Sequence, residues 1–377
     1  MSSGQYFWPL RRHIFAYPRV KRAIEAGATG PGAMAAQLAH RLSTTESEAF
    51  LTVSGTEALW IAASVARAML PRQTTVPSAF VPAFGIPCIW TTFAREFFSE
   101  AIDVEPNGLI SKRTLHQAAS KSKAPHVVLA VWQGGAGGAL LDSAHEWARG
   151  HDCIYVEDMA CAVGEVPKQM GVYSFSAPKM HSAGQGGAVV LNKTWHRYEE
   201  ARTLLVELMQ VCAGNGFKFR DTGKCECSDI WRHITISNRR LSDVSCAMML
   251  DELDADPKKR GLMLKVQNEL EQATPDNVAR YYGPLHNVIF PANVAAFEAQ
   301  ARRLGVGIAR PYGHASKQAY GARCVKVDTP NAQRWADGAV YLPFGPGLGV
   351  ADDNEAAHTL RSMVDLVRLA DIQAEAA

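Results

Sequence analysis

The stretch Ala49-Phe-Leu-Thr-Val-Ser54-Gly55-Thr56-Glu57-Ala-Leu-Trp-Ile-Ala-Ala-Ser-Val-Ala-Arg-Ala-Met-Leu70 changes character part-way along. Ala49 to Val53 is a short apolar run with β-branched and aromatic side chains, which reads as a buried strand. Glu57 to Leu70 is rich in Ala, Leu and Met and reads as a helix, and Ser-Gly-Thr before it is a good amino-terminal cap. The same alternation continues from about residue 25 to 250, with further candidate strands at Thr75 to Val81, Val127 to Trp132, Cys153 to Val156, Val172 to Phe175 and Gly187 to Leu191. Strands alternating with helices predict an α/β fold, with a mostly parallel sheet covered by helices.

Past residue 255 the pattern changes to a basic Asp256-Pro-Lys-Lys-Arg260 turn, an amphipathic stretch, Pro-rich strands and a final helix, where Leu360, Met363, Val364 and Val367 share one face. The expected organisation is a large domain over residues 1–250 and a smaller α+β domain over 251–377.

Composition narrows the possible partners. The 377 residues carry 39 basic and 37 acidic side chains, a formal net charge of +2, with 47% apolar residues. That is a globular composition with no electrostatic reason to bind nucleic acid or an anionic membrane. No apolar run approaches the 18 or so residues of a membrane-spanning helix. The start of the sequence lacks the order of a signal peptide, so a cytoplasmic location is expected. Eight cysteines suggest no disulfide framework, and Cys225-Glu-Cys227 lacks the further ligands a zinc site needs, so no metal is expected.

Three local features combine chemically. Ser54-Gly55-Thr56, at a strand-to-helix turn, offers backbone N–H groups, two hydroxyls and a helix dipole to a phosphate, or else serves only as a cap. Asp158 follows the strand Cys153 to Val156, at the carboxyl edge where open α/β sheets bind ligands; it could hold a ring nitrogen protonated, or else cap a helix. Lys179 lies 21 residues further on in Val172-Tyr-Ser-Phe-Ser-Ala-Pro-Lys-Met-His-Ser-Ala-Gly-Gln-Gly-Gly187, held by a Pro- and Gly-containing loop and suited to Schiff-base chemistry. A phosphate cradle, an acid and an amine are the three handles of pyridoxal 5'-phosphate.

In this order the segments resemble the DegT/DnrJ/EryC1/StrS aminotransferases, pyridoxal-phosphate enzymes of fold type I that mostly aminate nucleotide-linked keto-sugars. Ser54-Gly-Thr-Glu-Ala-Leu59 is similar to that family's Asn-Gly-Thr-x-Ala-Leu, Val156-Glu-Asp-Met-Ala-Cys-Ala162 to its Glu-Asp-x-Ala-Gln-Ala, and Tyr173-Ser-Phe-Ser-Ala-Pro-Lys179 to its Ser-Phe-x-x-x-Lys. Ser237-Asn-Arg-Arg-Leu-Ser-Asp243 resembles its Asn-x-Arg-Met-Ser-Asp, and Val340-Tyr-Leu-Pro-Phe-Gly-Pro-Gly-Leu348 its Leu-Pro-x-x-Pro-x-Leu run. The resemblance implies a seven-stranded sheet and gives Lys179 the Schiff base and proton transfer, for which its pKa must be lowered by its surroundings. Asp158 would partner the pyridine nitrogen, and Ser54, Gly55, Thr56 and Ser174 would hold the phosphate. Asn238 would reach in from the second subunit of a homodimer with shared sites.

Several positions depart from the family. Cys161 stands where a glutamine supports the cofactor's phenolic oxygen, and Gln185 replaces the acid of Gly-Glu-Gly-Gly. Ile86 falls where an aromatic ring stacks on the cofactor, with Phe84 as the other candidate. Val131-Trp-Gln-Gly-Gly135 replaces a His-x-Tyr-Gly segment. His181, beside the lysine, is a candidate catalytic neighbour or else a histidine satisfied at the domain edge; Arg240 and Arg310-Pro-Tyr-Gly-His314 are weaker substrate-binding candidates. Trp60, Trp90 and the pair Met248-Met249 are expected in the core.

The reaction expected is transfer of an amino group from glutamate or glutamine to a keto-sugar or related cyclic ketone. The departures keep open a dehydration, elimination or condensation with the same cofactor. A dinucleotide-binding protein or a non-catalytic relative is the third alternative, and the dinucleotide fingerprint in Val127 to Gly138 breaks because its third glycine would fall at Leu140.

Overall fold

The structure is a computed structural model and describes residues 17–27, 32–71, 76–122, 125–176, 179–213, 218–219, 225–226, 239–283, 286–310, 312–318, 320–324, 328–344 and 354–371. Seven strands form the main sheet: β1 (Ser47–Thr52), β2 (Ser78–Pro82), β3 (Phe98–Ile102), β4 (Val127–Val131), β5 (Ile154–Asp158), β6 (Met170–Ser174) and β7 (Gly187–Asn192), in the order β1-β7-β6-β5-β4-β2-β3. Pairing is parallel from β3 through β2, β4 and β5 to β6, whereas β7 runs antiparallel to both β6 and β1. Every residue of β5 and β6 is buried, as expected of central strands covered on both faces.

Six of the strands fall where alternation predicts them, give or take a few residues. β3 escapes that pattern: Phe-Ser-Glu-Ala-Ile is an edge strand with a charge inside it and Phe98 exposed, so its local signal is weak. The helix Gly55–Ala68 packs on β6 and β7, beside the helices Pro87–Glu96 and Tyr198–Ala213. Its small residues Ala58, Ala62, Ala63 and Ala66 are fully buried, and this lets it lie close to the sheet. Trp90 and Met249 are in the core as expected; Trp60 is only partly buried, with the Arg239 guanidinium 5.3 Å above its ring.

Two residues, Lys218–Phe219 (β8), pair with Cys225–Glu226 (β9). A second sheet, antiparallel, is made of β10 (Ala279–Gly283), β11 (His286–Phe290) and β12 (Val340–Leu342). A separate apolar cluster lies against it, joining Val266 and Leu270 of the helix Asp256–Ala273, Phe297 of Val294–Arg303, and Leu360, Met363 and Val367 of Asn354–Arg368. The fold is therefore α/β of fold type I: a mostly parallel sheet between helices, followed by a smaller α+β layer.

The basic segment at 256–260 is not a turn. It forms the first turn of the helix Asp256–Ala273, where a proline is tolerated because the N–H it lacks has no intrahelical partner. Its charges are paired: Lys259 is buried against Glu252, and Arg260 Nε donates to Asp256 Oδ2 at 2.8 Å. Among the described residues no helix is long and apolar enough to cross a membrane, and no group of His, Cys, Asp and Glu could hold a metal. Cys227 and Asn238 lie outside the described residues.

Candidate active site

Three backbone segments meet where β1 turns into the helix Gly55–Ala68. Ser54 is extended and its hydroxyl accepts from Glu57 N–H at 3.1 Å, so it does cap the helix. The segment also bridges to Gly186, and a Cβ placed on Gly55 would lie 2.6 Å from Ser174 Cβ, at the end of β6. Gly187 is as constrained: its Cβ would stand 2.7 Å from both Ser54 C and Tyr173 O. Glycine is required at these crossings because neighbouring backbones occupy the space. The result places Ser54, Gly55, Thr56 and Ser174 at one end of a cavity of about 300 Å³, with Ser176 beside them. That volume is at the lower end for small-molecule pockets.

Asp158 ends β5 opposite Val131 of β4, so it projects at the carboxyl edge of the parallel strands. It is 7% exposed and accepts from Ala160 N–H at 3.1 Å. Burial pushes its carboxyl above the ordinary range, and Lys179 and the Ala160 N–H work against that rise.

Lys179 lines the same cavity, and its Nζ donates to Cys161 Sγ at 3.1 Å. Burial disfavours its charge, but the Cys161 thiol, the Tyr312 hydroxyl and the Asp158 carboxylate outweigh burial and hold the ammonium above the ordinary lysine range. A catalytic base needs a lowered value, and the protein's own groups act in the opposite direction.

Cys161 is therefore the lysine's neighbour, and its Sγ also lies 3.7 Å from His286 Nε2. His286 comes from β11 of the second sheet and packs against the rings of Tyr341 and Phe344. Burial, then Lys179, lowers its pKa to about 3, so it is a neutral imidazole, and its Nδ1 has no partner among the described residues. Tyr312 also faces the cavity, with its hydroxyl raised by burial to about 12 against the pull of Lys179. Cys88 is raised by burial to about 11 and stays a thiol.

The segment Val131 to Gly134 lines the cavity beside Asp158. After β4 the chain makes two short 3₁₀ turns, Gln133–Gly135 and Gly138–Leu141, with Gly134 left-handed at φ +63°; the α-helix Asp142–Gly150 begins only after them and not at the glycines, unlike a dinucleotide loop. Trp132 Nε1 donates to Glu157 Oε1 at 3.0 Å, and Gln133 Nε2 to the Tyr341 hydroxyl at 2.9 Å. Glu157 is fully buried, and burial raises its carboxyl to about 7 in spite of hydrogen bonds from Lys168 N–H and Trp132. A folded-state value above the unfolded value of about 4.5 means that the folded protein binds the extra proton between those pH values. Stability is then lost as pH rises from 4.5 to 7, by about 3 kcal/mol if Glu157 acts alone. Glu157→Gln is expected to flatten this slope in urea-unfolding midpoints measured from pH 5 to 8, and an unchanged slope would assign it to other groups.

Two of the candidates named from the sequence lie outside the cavity lining. Phe84 does not line the cavity: it is buried behind Tyr312 and Trp335, at ring-centroid distances of 5.9 and 5.4 Å. Ile86, partly exposed at the start of the helix Pro87–Glu96, lines it instead. His181 is 3% exposed, lies 2.6 Å from Asp256 and is not part of the lining, so it has no direct path to a ligand there. His314 is likewise occupied, by Ser316 and Thr329 at 2.7 Å each. The cavity also contains Ser176, Cys88, His286 and Phe344, which the motifs do not single out. Ser176 and Phe344 lie inside quoted segments, but nothing local marks Cys88 or His286.

A lysine, an acid and a phosphate-sized turn converge in one buried cavity at the carboxyl edge of this sheet, which is the arrangement of a fold type I pyridoxal-phosphate enzyme. The chain belongs to the DegT/DnrJ/EryC1/StrS aminotransferase family, whose model matches residues 18–361. No curated protein matches the sequence. Among solved structures it is similar to Helicobacter pylori PseC, an aminotransferase involved in the biosynthesis of pseudoaminic acid (15% identity, 96% of this chain and 98% of that one, TM-score 0.76). It is also similar to the aminotransferase TlmJ from Streptoalloteichus hindustanus (18%, 97% and 98%, 0.76), and to 3-amino-5-hydroxybenzoic acid synthase (18%, 96% and 97%, 0.74).

Proposed function

We propose that the chain is a pyridoxal-phosphate-dependent aminotransferase that moves an amino group from glutamate or glutamine to a keto-sugar or related cyclic ketone. The observation that carries this reading is that Lys179, Asp158 and the Ser54-Gly55-Thr56 turn line one cavity. The residues present fit the cofactor. Gly55 leaves open a cradle that a side chain would fill, Ser174 and Thr56 supply hydroxyls to a phosphate, and Asp158 is a buried carboxylate whose hydrogen bond comes from a backbone N–H rather than from a cation. Bound there, pyridoxal phosphate supplies an aldehyde carbon and a cationic, electron-accepting ring whose charge also lowers the lysine pKa that the protein's groups raise.

Each residue then has a task. Asp158 holds a proton at the ring nitrogen. Lys179 Nζ, as a free amine, would take the donor's α-proton and carry it to the carbon on the far side of the transferred nitrogen. Cys161 would orient Nζ from the position of the family's glutamine, and Ile86, Tyr312 and His286 would line the cofactor's cavity. The neutral His286 Nδ1, without a partner among the described residues, suits recognition of a hydroxyl or carbonyl on the acceptor.

The same proposal includes a cytoplasmic homodimer, with Asn238 of each chain serving the other's site, and a large domain ending near residue 250. The deciding experiment is an absorbance spectrum with added pyridoxal phosphate, before and after L-glutamate or L-glutamine. A visible band that bleaches, with one keto acid released per bleached site, supports transamination. A band that never bleaches with either donor favours elimination or condensation chemistry.

A further inference from the structure

Three consecutive residues after Lys179 are fastened to one helical platform. Met180 shares a small buried apolar cluster with Met263 and Cys161. His181 Nε2 lies 2.6 Å from Asp256 Oδ1, and Ser182 N–H donates to Glu252 Oε2 at 3.4 Å. Glu252 belongs to the helix Asp243–Asp254, and Asp256 and Met263 to the helix Asp256–Ala273 that follows it.

The platform is itself rigidly paired. Glu252 and Lys259 form an ion pair in which each side chain is 2% exposed, and the Tyr17 hydroxyl donates to the other Glu252 oxygen at 2.6 Å. Arg260 takes the second oxygen of Asp256. Burial would raise the Asp256 carboxyl, but His181 and Arg260 pull it down to about 2, so it stays an anion across the working pH range. Breaking the buried Glu252–Lys259 pair would leave a charge without compensation, so that part of the platform is strongly preferred, whereas Asp256 and Arg260 are partly exposed.

One helix therefore has two attachments. Near its start Asp256 holds the lysine loop; further along Val266 and Leu270 enter the core of the smaller layer, with Leu360 and Met363. Beyond Ser182 the loop turns through left-handed glycines, Gly184 at φ +77° and Gly186 at φ +113°, so the fastening lies on the stretch next to the lysine. On its other side Lys179 is tied to Cys161, a member of the same buried cluster as Met180 and Met263.

We infer that His181 and Asp256 are a pair of positioning residues, a strut by which the helix Asp256–Ala273 sets the placement of Lys179. His181 acts through Asp256 and the loop, without touching substrate. The inference rests on the reading of Lys179 as the cofactor-binding lysine. It also accounts for a histidine two residues from that lysine that the cavity does not use.

The test compares the wild-type protein with His181→Leu, His181→Gln and Asp256→Asn, each loaded with pyridoxal phosphate. Two quantities are read: the pH midpoint of the visible band, and the single-turnover rate of bleaching by L-glutamate at saturation, together with its apparent Kd. The leucine and asparagine variants are expected to take up cofactor but to show a midpoint moved by about one pH unit. Their bleaching should slow by about ten- to a hundredfold with the apparent Kd nearly unchanged, the signature of a misplaced group rather than a lost contact. Glutamine at 181 can still donate to Asp256 and is expected to recover most of both. Wild-type midpoints and rates in the leucine and asparagine variants overturn the inference alone. Should glutamate fail as donor, the midpoint decides; should His181→Leu fail to fold, the near-isosteric Asp256→Asn decides. A wild-type protein with no Lys179-dependent band removes the underlying reading, and the inference falls with it.

Discussion

Lys179→Ala is expected to remove the visible band that pyridoxal phosphate forms with the protein and to lower amine transfer by about four orders of magnitude, the upper range for loss of a positioned proton-transfer group. Both effects follow from one atom. Among the described residues Nζ is the only side-chain amine lining the cavity, and Cys161 at 3.1 Å and Asp158 across the cavity fix its position. The variant should keep the fold, because the phosphate turn is built from Ser54, Gly55 and Ser174 and does not involve the lysine. It should therefore still bind the cofactor, reversibly and without the band. An electrostatic consequence is expected as well: Lys179 is the first of the influences that hold Asp158 down against burial, so its loss pushes that carboxyl further up. Cofactor uptake followed by equilibrium dialysis, with the visible spectrum and rates measured in parallel, checks the binding, the band and the transfer. Amine transfer at the wild-type rate in Lys179→Ala would end the assignment.

Much of this site is legible in the sequence because its parts are local. A strand that stops at Thr52, a capping serine, a glycine and an alanine-rich helix specify a tight strand-to-helix turn within a dozen residues, Asp158 ends one buried strand, and Lys179 lies five residues past the end of the next. What the sequence does not disclose is which distant segments face these parts. His286 reaches the cavity only because β11 of the second sheet packs across Gly134, where its Cβ lies 3.4 Å from the position a glycine side chain would occupy. Nothing within ten residues of it signals that. Phe84 and Ile86 illustrate the same limit at short range: two residues apart on one loop, they face opposite ways, and Tyr312 and Trp335 from far along the chain decide which is buried. Proximity to the lysine suggests His181, but a neighbour in sequence need not point the same way, and Asp256, 75 residues on, takes its imidazole. The edge strand β3 is hidden for a related reason: pairing with β2 makes it a strand, and its own sequence is nearly neutral.

Asp158→Asn is expected to lower the rate of the first half-reaction by roughly three orders of magnitude, about 4 kcal/mol, with little effect on folding. The amide has nearly the shape of the carboxylate and its oxygen can still accept from Ala160 N–H, so β5 and its register with β4 should persist. What disappears is a negative charge in a buried place, where a charge interaction is worth far more than in water. An anion there favours the protonated ring nitrogen and hence the electron withdrawal that makes the donor's α-proton acidic; an amide favours the neutral ring. The same substitution removes one of the groups that raise Lys179, so the lysine should titrate at lower pH in the variant. The two effects separate in a pH profile: loss of ring activation depresses the rate at every pH, whereas the lysine effect only displaces the limb on which Nζ loses its proton. Asp158→Glu restores the charge but adds a methylene that moves the carboxylate further into the cavity, and is expected to fall between the two. A rate for Asp158→Asn within threefold of wild type, with cofactor bound, would mean that the carboxylate only caps the chain at Ala160 and that the ring is activated by another group.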